Sequence, residues 1–207
     1  MTKVKICGIT NVDDALAAAE YGVDALGFIF YQKSLRYITP EKARHIISEL
    51  PPFITTVGVF VDEEIEKIKS VVDECDIDIV QFHGNESPDF CLKVGRRFIK
   101  AIRVKDELSL DGLENYRCEG GICTFLLDTY ATDIAGGTGE SFDWTLALSA
   151  KNRGRIILSG GLNPDNVVEA IRIVRPYGVD VASGVESRPG RKDLKKMKLF
   201  IDNAKST

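Results

Sequence analysis

A thiol and a carboxylate are the two side chains of this sequence that are best placed for proton transfer. Cys7 ends the apolar run Val4–Cys7, and Asp128 ends the apolar run Thr124–Asp128. An aspartate in that position indicates a function because burying an unpaired carboxylate is costly, although it could also cap a helix or hold an arginine. A free cysteine is more often a small core residue than a catalyst, so for Cys7 both interpretations stay open.

Glycines after two later apolar runs indicate an anionic ligand. Gly160 and Gly161 follow one run, and Ser183 and Gly184 follow the next. Glycine lets backbone N–H groups approach a phosphate closely, and the N-terminus of a following helix adds the positive end of its dipole. These four residues are therefore predicted to bind phosphate, while tight turns alone would also explain the glycines. A further glycine-rich stretch, Gly136–Gly139, follows the carboxylate noted above.

Arg36 and His83 are two further candidates for ligand binding. Arg36 lies in the loop segment Ser34–Tyr37, where its planar guanidinium could hold a carboxylate, whereas a solvated surface arginine is the commoner outcome. His83, one of only two histidines, could be a ligand or an acid–base group, or it could hydrogen-bond locally. No cluster of His, Cys and carboxylate residues has the spacing of metal ligands, so no metal site is expected.

Eight short apolar segments alternate with helix-like segments and would carry these residues. They are rich in β-branched and aromatic residues, and several are apolar throughout, as in strands buried on both faces of a parallel sheet. The predicted strands are Val4–Cys7, Ala25–Phe30, Thr56–Phe60, Ile79–Phe82, Phe98–Val104, Thr124–Asp128, Ile156–Leu158 and Val179–Ala182. The alternation of strands and helices predicts an α/β fold with a parallel sheet.

The pattern favours a closed barrel over an open sheet. No G-x-G-x-x-G follows the first predicted strand, which removes support for the dinucleotide-binding open sheet. A (β/α)8 TIM barrel usually takes about 250 residues. The length therefore predicts a short-loop, single-domain barrel over residues 1–207. Active sites of such barrels lie at the C-terminal ends of the strands and in the loops that follow, which is where the candidate residues fall.

Several local signals mark the helices between the strands. Thr10 with Asp13 resembles a capping box, and three cap residues directly precede a proline, which suits the first turn of a helix. These pairs are Thr39-Pro40, Ser87-Pro88 and Asn163-Pro164. The weakest helix signal is Leu108–Tyr116, which Gly112 interrupts. The basic stretch Arg191–Lys198 is predicted to be the solvated face of the last helix.

The composition, with 44% hydrophobic and 28% charged residues, is close to the globular average. A net charge of -4 and a pI near 5.3 argue against nucleic acid or an anionic membrane as the main partner. No apolar stretch approaches the roughly 20 residues of a membrane span. Five cysteines, an odd number without a C-x-x-C pair, argue against a secreted disulfide framework and for the reducing cytoplasm. They are Cys7, Cys75, Cys91, Cys118 and Cys123.

A series of short motifs resembles the phosphoribosylanthranilate isomerase family of tryptophan biosynthesis. The motifs occur in the family's order and span nearly the whole chain, so that together they are highly specific although each alone is weak. They are Lys5–Thr10, Gly58–Phe60, Gln81–Gly84, Leu126–Thr129, Gly136–Gly139, Phe142–Trp144, Gly160–Val167 and Val179–Glu186.

The resemblance implies an Amadori rearrangement of N-(5′-phosphoribosyl)anthranilate to 1-(2-carboxyphenylamino)-1-deoxyribulose 5-phosphate, without metal or cofactor. In the family pattern Cys7 is the general base, Asp128 is the general acid, and Arg36 lies near the anthranilate. His83 is placed with the glycine-loop residues as a substrate-binding residue. A thiol with an ordinary pKa of about 8.5 needs only a modest downward shift to provide thiolate near neutral pH.

The chain departs from the family pattern at three positions. Leu35 stands where proline is usual, which puts the stiffness of the loop around Arg36 in question but not its guanidinium. Phe82 replaces the commoner leucine and Ser159 replaces an alanine, and both changes are expected to be tolerated.

Two other barrel enzymes and one binding protein stay as alternatives. Indoleglycerol-phosphate synthase would place a catalytic lysine at a strand end, whereas Lys100 lies inside the fifth predicted strand. Ribulose-phosphate epimerase would need a metal-binding set of His and Asp, which two histidines do not readily supply. A non-catalytic phosphometabolite-binding barrel would keep the glycines but would not need Cys7 together with Asp128. The partner is thus expected to be a small phosphorylated substrate, and the sequence leaves monomer and homodimer open.

Overall fold

The strands close into an eight-stranded parallel barrel. A computed structural model of the chain describes residues 1–118, 121–129 and 144–207. Each barrel strand pairs with the next along the chain, and β8 pairs back with β1. The strands are β1 (Lys3–Cys7), β2 (Ala25–Ile29), β3 (Thr55–Phe60), β4 (Ile79–Phe82), β5 (Phe98–Val104), β6 (Thr124–Thr129), β7 (Arg155–Leu158) and β8 (Gly178–Val181). The predicted (β/α)8 fold is confirmed, and every predicted strand boundary lies within one residue of the observed one.

Alternate residues of each strand face two different apolar cores, as β6 illustrates. Leu126 belongs to a cluster inside the barrel with residues such as Ile99 and Ile157. Its neighbours Phe125 and Leu127 belong to a larger cluster that includes residues of the surrounding helices. Both faces of the strand are therefore buried, which explains why the segment is apolar throughout instead of alternating with polar residues.

Helices surround the barrel. Within the described residues they are α1 (Val12–Glu20), α2 (Pro40–Ser48), α3 (Ile65–Cys75), α4 (Pro88–Leu92), α5 (Thr145–Ala150), α6 (Val167–Val174) and α7 (Leu194–Lys205). Two of the predicted caps are confirmed, because the side chains of Thr39 and Ser87 accept the backbone N–H groups of Lys42 and Phe90. Each cap satisfies an amide that the first helical turn leaves without a partner.

The predicted capping box at the start of α1 is wrong. Asn11 is the N-cap, and its side chain accepts the N–H of Asp14. Thr10 Oγ1 instead donates to the backbone oxygen of Gly190. An asparagine caps a helix at least as well as a threonine, so that the hydroxyl is free for this long-range contact.

The predicted helix start at Asn163-Pro164 is also wrong. Asn163 Oδ1 accepts the N–H groups of Asp165 and Asn166, which forms a local turn ahead of the helix. α6 begins only at Val167. An asparagine side chain commonly closes such a turn because it reaches backbone groups two residues on.

The weak helix signal around Gly112 corresponds to two short 3-10 helices, Glu107–Leu110 and Leu113–Asn115. Gly112 lies between them with φ at 84°, a conformation that glycine adopts without steric cost. The interruption noted in the sequence therefore marks a real break.

A hairpin that the sequence did not predict follows β8. Its strands are β9 (Glu186–Arg188) and β10 (Arg191–Lys192), and Asp193 then caps α7. The side chain of Lys192 has no exposed surface. The prediction that Arg191–Lys198 forms the solvated face of a helix is therefore wrong at its start, because the helix begins after Lys192.

Two of the five cysteines are paired. Cys118 and Cys123 form a disulfide with their Cα atoms 5.2 Å apart, while Cys7, Cys75 and Cys91 are free and buried. The odd count and the absence of a C-x-x-C motif gave no sign of this pair. A single short bridge is compatible with an odd number of cysteines, so the count alone could not exclude it.

Other sequence predictions concern residues outside those that the structure describes. The glycine-rich stretch Gly136–Gly139 and the motif residues Phe142 and Asp143 are in this group. Among the helices of the described residues, none has the length and apolar character needed to cross a membrane.

A buried ion pair joins β5 to the loop after β4. Lys100 Nζ lies 2.7 Å from Glu86 Oε2, and these side chains are only 3% and 2% exposed. The same ammonium donates to the backbone oxygen of Gly84 at 2.6 Å, and Glu86 also accepts the N–H groups of Asp62 and Gly84. Lys100 is therefore committed to a structural ion pair.

Replacing Lys100 by methionine is expected to lower the free energy of unfolding by about 3–5 kcal/mol, because it leaves the Glu86 carboxylate buried without its cation. Lys67→Met is the matched control, since Lys67 pairs with Glu63 but is 56% exposed, and exposed pairs contribute about 0–1 kcal/mol. Urea denaturation of both variants measures the difference. An equal decrease in the free energy of unfolding for the two variants would contradict the structural role of the buried pair.

Candidate active site

The candidate acid and the candidate base both lie at the C-terminal mouth of the barrel. On β6, Leu126 faces the barrel interior, so Asp128, two residues on, faces the same way. On β1, Lys5 reaches Asp180 inside the barrel, and Cys7 follows it in the same alternation. In the ring of strands, β8 and β7 lie between β1 and β6. The thiol and the carboxylate therefore approach the mouth from different sides, as a ligand held between an acid and a base requires.

His83 contacts Asp128, a pairing that the sequence did not predict. Its Nε2 lies 3.2 Å from Asp128 Oδ2, and the two side chains are 22% and 28% exposed at the mouth. Behind it on β4, the buried amide of Gln81 places its Nε2 3.5 Å from His83 Nδ1. The imidazole thus lies between the Gln81 amide and the Asp128 carboxylate. A hydrogen bond at one ring nitrogen influences whether the other ring nitrogen carries a proton.

Cys7 is buried, with 5% of its surface exposed. Burial raises the pKa of Cys7, the Lys5 ammonium lowers it, Asp180 raises it and Lys192 lowers it, with a net upward direction. The modest downward shift considered from the sequence is therefore not found, because removing a thiolate from water outweighs the two cations. Gly27 on the neighbouring strand makes room for the thiol, since a Cβ there would lie 2.7 Å from Cys7 Sγ.

A buried polar cluster lies beneath Cys7. Lys5 Nζ is 2.7 Å from Asp180 Oδ1, and Ser159 Oγ donates to Asp180 Oδ2 at 3.0 Å. Burial lowers the pKa of Lys5, but Asp180 and Cys7 more than offset this and leave the pKa above its ordinary value. Ser159 therefore adds a hydrogen bond to a buried carboxylate that the alanine of the family pattern could not make.

Arg36 is held by Glu186 at the edge of the site. Arg36 Nε and Nη2 donate to the two carboxylate oxygens at 2.8 and 2.7 Å. Burial raises the pKa of Glu186, but the hydrogen bond from Arg36 and the nearby Lys192 lower it below its ordinary value. A guanidinium has five N–H groups, so three of them remain for a second carboxylate. Gly8, with φ at 75°, allows this packing, because a Cβ there would lie 2.7 Å from Arg36 Cδ.

The glycine loops after β7 and β8 lie against each other. Gly160 and Gly161 both have positive φ, and a Cβ added to Gly184 would overlap the backbone oxygen of Leu162. Gly161 and Ser183 are exposed. The backbone of the two loops therefore comes together at the mouth with accessible residues, a position where barrels often bind phosphate.

Four charged residues of this region were not among the predicted site residues: Lys5, Asp180, Glu186 and Lys192. Lys5 had a usable signal, because it precedes Cys7 by two residues on a strand and therefore shares its face. Asp180 and Glu186 lie in the motif Val179–Glu186 but had no predicted role, and Lys192 had no signal. Lys192 is 185 residues from Cys7 along the chain and Glu186 is 150 residues from Arg36, so these contacts depend on the hairpin β9–β10 folding back over the barrel.

A cavity of about 410 Å³ opens at the opposite, N-terminal end of the barrel. It is lined by residues at the starts of strands, such as Ala25, Thr55 and Thr124, and by the exposed Phe53. Neither Cys7 nor Asp128 lines it. Because barrel enzymes carry their chemistry at the C-terminal mouth, the candidate site is the mouth and not this cavity.

The described residues contain no group of three His, Cys, Asp or Glu side chains placed to hold a metal ion. The titratable groups at the mouth are instead arranged as pairs, such as His83 with Asp128 and Arg36 with Glu186. Proton transfer and anion binding are the chemistry that such pairs can support.

Comparison with known proteins gives one consistent result. The family model described as N-(5'phosphoribosyl)anthranilate (PRA) isomerase matches residues 4–203. A protein named N-(5'-phosphoribosyl)anthranilate isomerase from Geotalea uraniireducens is 58% identical over 205 residues, which cover 99% of each chain.

Solved structures agree with the family model. The crystal structure of phosphoribosyl anthranilate isomerase from Thermotoga maritima is similar to this chain with a TM-score of 0.92 and 50% identity, and both chains are covered in full. A structure of a phosphoribosyl anthranilate isomerase in complex with reduced 1-(o-carboxyphenylamino)-1-deoxyribulose 5-phosphate gives a TM-score of 0.89 and 49% identity, again over both full chains. With sequence identity and fold matching along its length, this chain belongs to the N-(5'-phosphoribosyl)anthranilate isomerase family.

Proposed function

We propose that Cys7 and Asp128 are the general base and the general acid of this isomerase of tryptophan biosynthesis. The observation that carries the proposal is their placement. Each residue lies two positions after an inward-facing residue of its own strand, and both therefore face the same mouth of the barrel. An Amadori rearrangement needs one acid and one base on different sides of the bound sugar. A barrel that only bound phosphometabolites would have no use for this pair.

The proposed reaction begins with Asp128. It protonates the ring oxygen of the phosphoribosyl group, the bond from that oxygen to C1′ breaks, and the nitrogen lone pair forms an iminium with C1′. The Cys7 thiolate then takes the proton from C2′, and the electrons of that bond form a C1′–C2′ double bond as the iminium electrons return to nitrogen. The resulting enol-amine tautomerises to the 2′-ketone of the product.

His83 has a place in this scheme beside the acid. The sequence assigned it to substrate binding, and its position 3.2 Å from Asp128 supports a second role in orienting the carboxyl group. An imidazole N–H that donates to the carboxylate would also stabilise the charge left on Asp128 after proton transfer.

The two ends of the substrate are proposed to be held by different groups. The three free N–H groups of Arg36 would bind the anthranilate carboxylate, and the loop residues Gly160, Gly161, Ser183 and Gly184 would bind the phosphate. The ligand of the related solved structure carries both a carboxyphenyl group and a phosphate. Fixing both ends lets orientation supply part of the rate.

The activity is tested with freshly made N-(5′-phosphoribosyl)anthranilate, whose fluorescence decays as it is rearranged. Wild-type protein is expected to accelerate the decay, and protein purified in the same way with Asp128→Asn controls for a contaminating enzyme. A folded wild-type protein that leaves the decay at its spontaneous rate would contradict the proposed function.

Phosphate binding at the glycine loops predicts a local NMR response. Inorganic phosphate is expected to perturb the backbone amide signals of Gly161, Ser183 and Gly184, because these amides lie at the mouth where the two loops meet. Gly22 and Gly95, in loops that lead into β2 and β5 at the other end of the barrel, are the internal reference. Perturbation confined to the reference glycines would place the phosphate at the wrong end for the proposed chemistry.

We further assign the chain to the cytoplasm and regard residues 1–207 as one catalytic domain that acts without a metal or cofactor. The location now rests on the biosynthetic role. The disulfide between Cys118 and Cys123 is unusual for this location, because disulfides are rare in reducing compartments.

A further inference from the structure

Lys192 makes the most complete set of buried contacts of any ammonium described at the mouth. Its Nζ donates to the backbone oxygens of Cys7 at 2.6 Å and Ala182 at 3.1 Å, and it lies 3.1 Å from Glu186 Oε1. An ammonium has three donors, so these three acceptors account for all of them. The two carbonyls lie at the ends of β1 and β8, and a single side chain from the hairpin therefore ties the thiol-bearing strand to the strand that leads into the phosphate loop.

Burying an ammonium is costly unless charge and hydrogen bonds compensate it. The side chain of Lys192 has no exposed surface, so its position requires an explanation beyond linking two strands. A methionine would fill a similar volume but would leave the carbonyls of Cys7 and Ala182 and the carboxylate of Glu186 without their donor. A neutral amide could also donate to carbonyls, so the feature that lysine adds is its charge.

Charged groups from several elements face Cys7 in the described part of the chain. Lys5 on β1, Asp180 on β8 and Lys192 on β10 act on the thiol, and Arg36 in the loop after β2 interacts with it as well. A thiolate at Cys7 would therefore form next to three cations and one anion. Farther from the thiol, Glu186 on β9 pairs with Arg36 and Lys192, and Asp14 on α1 accepts the backbone N–H of Lys192. His83 and Asp128 face the mouth from β4 and β6 as a separate pair. Of the three cations, Lys192 alone donates to the main chain of Cys7.

We propose that Lys192 is a positioning residue for Cys7, which anchors the backbone of the thiol and stabilises its thiolate form. The proposal rests on the proposed function, in which that thiolate is the general base. Lys192 does not touch the substrate in this role. It acts through Cys7 alone.

The electrostatic balance agrees with the geometry. Burial raises the pKa of Cys7, while Lys5 and Lys192 are the cations that oppose it. Burial also lowers the pKa of Lys192, and the Glu186 carboxylate and Cys7 oppose that change. Removing the Lys192 charge takes away one of the two opposing cations, so the pKa of Cys7 must rise further and thiolate must form only at higher pH.

The test compares Lys192→Met and Lys192→Gln, which remove the charge, with Lys192→Arg, which keeps it. Lys196→Met is the matched control, because Lys196 is an exposed lysine on α7 four residues away. Two pH profiles are measured for each protein. One is the rate of iodoacetamide alkylation at Cys7, mapped by mass spectrometry, and the other is kcat/KM, with circular dichroism reporting the fold.

For the two uncharged variants, the midpoint of Cys7 alkylation is expected to move to higher pH by about one pH unit or more, as loss of a neighbouring charge typically does. The rising limb of kcat/KM is expected to move with it. For Lys192→Arg, the alkylation midpoint and the kcat/KM profile are expected to stay closer to those of the wild type. For Lys196→Met, both are expected to match the wild type.

An unmoved alkylation midpoint in a folded Lys192→Met or Lys192→Gln protein would overturn the inference and leave Lys192 a structural tie. If the alkylation midpoint moves but kcat/KM does not, the inference about Lys192 stands and Cys7 fails as the base. The two profiles therefore separate a failure of this inference from a failure of the proposed function.

Discussion

Asp128→Asn is expected to lower kcat by about 10²-fold or more, with a smaller change in KM. Typical general acids contribute about 10²- to 10⁴-fold to the rate. Asparagine keeps the shape of the side chain beside His83 but has no carboxylic proton to give to the ring oxygen. Because that proton is needed only as the ring opens, substrate affinity should change less than turnover.

The measurement is a steady-state assay at several substrate concentrations, with Asp111→Asn as a control at an exposed aspartate that ends the 3-10 helix Glu107–Leu110. The control is expected to keep the wild-type kcat. An Asp128→Asn protein that retains nearly full kcat would rule out the acid role and would leave Asp128 as a partner of His83 only.

Cys7→Ser is expected to lose most activity, with kcat lower by about 10²- to 10⁴-fold. A serine hydroxyl occupies nearly the same space as the thiol but is much harder to deprotonate than a thiol, even one whose pKa burial has raised, so the base that removes the C2′ proton is lost. The packing around the position should change little, because the neighbouring Gly27 leaves room for either side chain.

The other free cysteines provide matched controls for this substitution. Cys75 ends α3 and Cys91 lies in α4, and both are buried in the core between the helices and the barrel, so neither lies at the mouth. Cys75→Ala and Cys91→Ala are expected to keep the wild-type kcat, even where they lower stability. A Cys7→Ser protein with the same kcat as these controls would contradict the base assignment.

The barrel could be predicted from the sequence because its strands are buried on both faces. Phe125 and Leu127 face the helices while Leu126 faces the barrel interior, and such strands appear in the sequence as short apolar runs. Helix starts were harder to predict, because a cap depends on which of several neighbouring polar residues reaches the free amides. Asn11 does so at α1, where Thr10 with Asp13 was expected.

The positions of the site residues followed from the barrel, whereas their partners did not. Once Cys7 and Asp128 end barrel strands, they must lie at the mouth. The pairing of His83 with Asp128 depends on how the ring of strands closes, and that of Arg36 with Glu186 depends on a hairpin that gave no strand signal. Pattern and spacing describe local structure, so contacts between residues 45 or 150 positions apart require the three-dimensional fold.

The direction of the Cys7 pKa could not be predicted for a related reason. The sequence provided only the ordinary pKa of a thiol and the modest downward shift that a base near neutral pH would need. The fold adds burial, and desolvation of the thiolate then outweighs Lys5 and Lys192. The quantity that decides the sign is the degree of burial, which only the packed structure provides.

The most direct test of the central claim follows activity and alkylation of Cys7 in the same sample. Iodoacetamide is added, residual isomerase activity is measured, and mass spectrometry gives the fraction of each free cysteine modified. The account predicts that activity falls in proportion to modification of Cys7, and that saturating reduced 1-(o-carboxyphenylamino)-1-deoxyribulose 5-phosphate slows both. Full activity after complete alkylation of Cys7 would contradict the role of this thiol as the base.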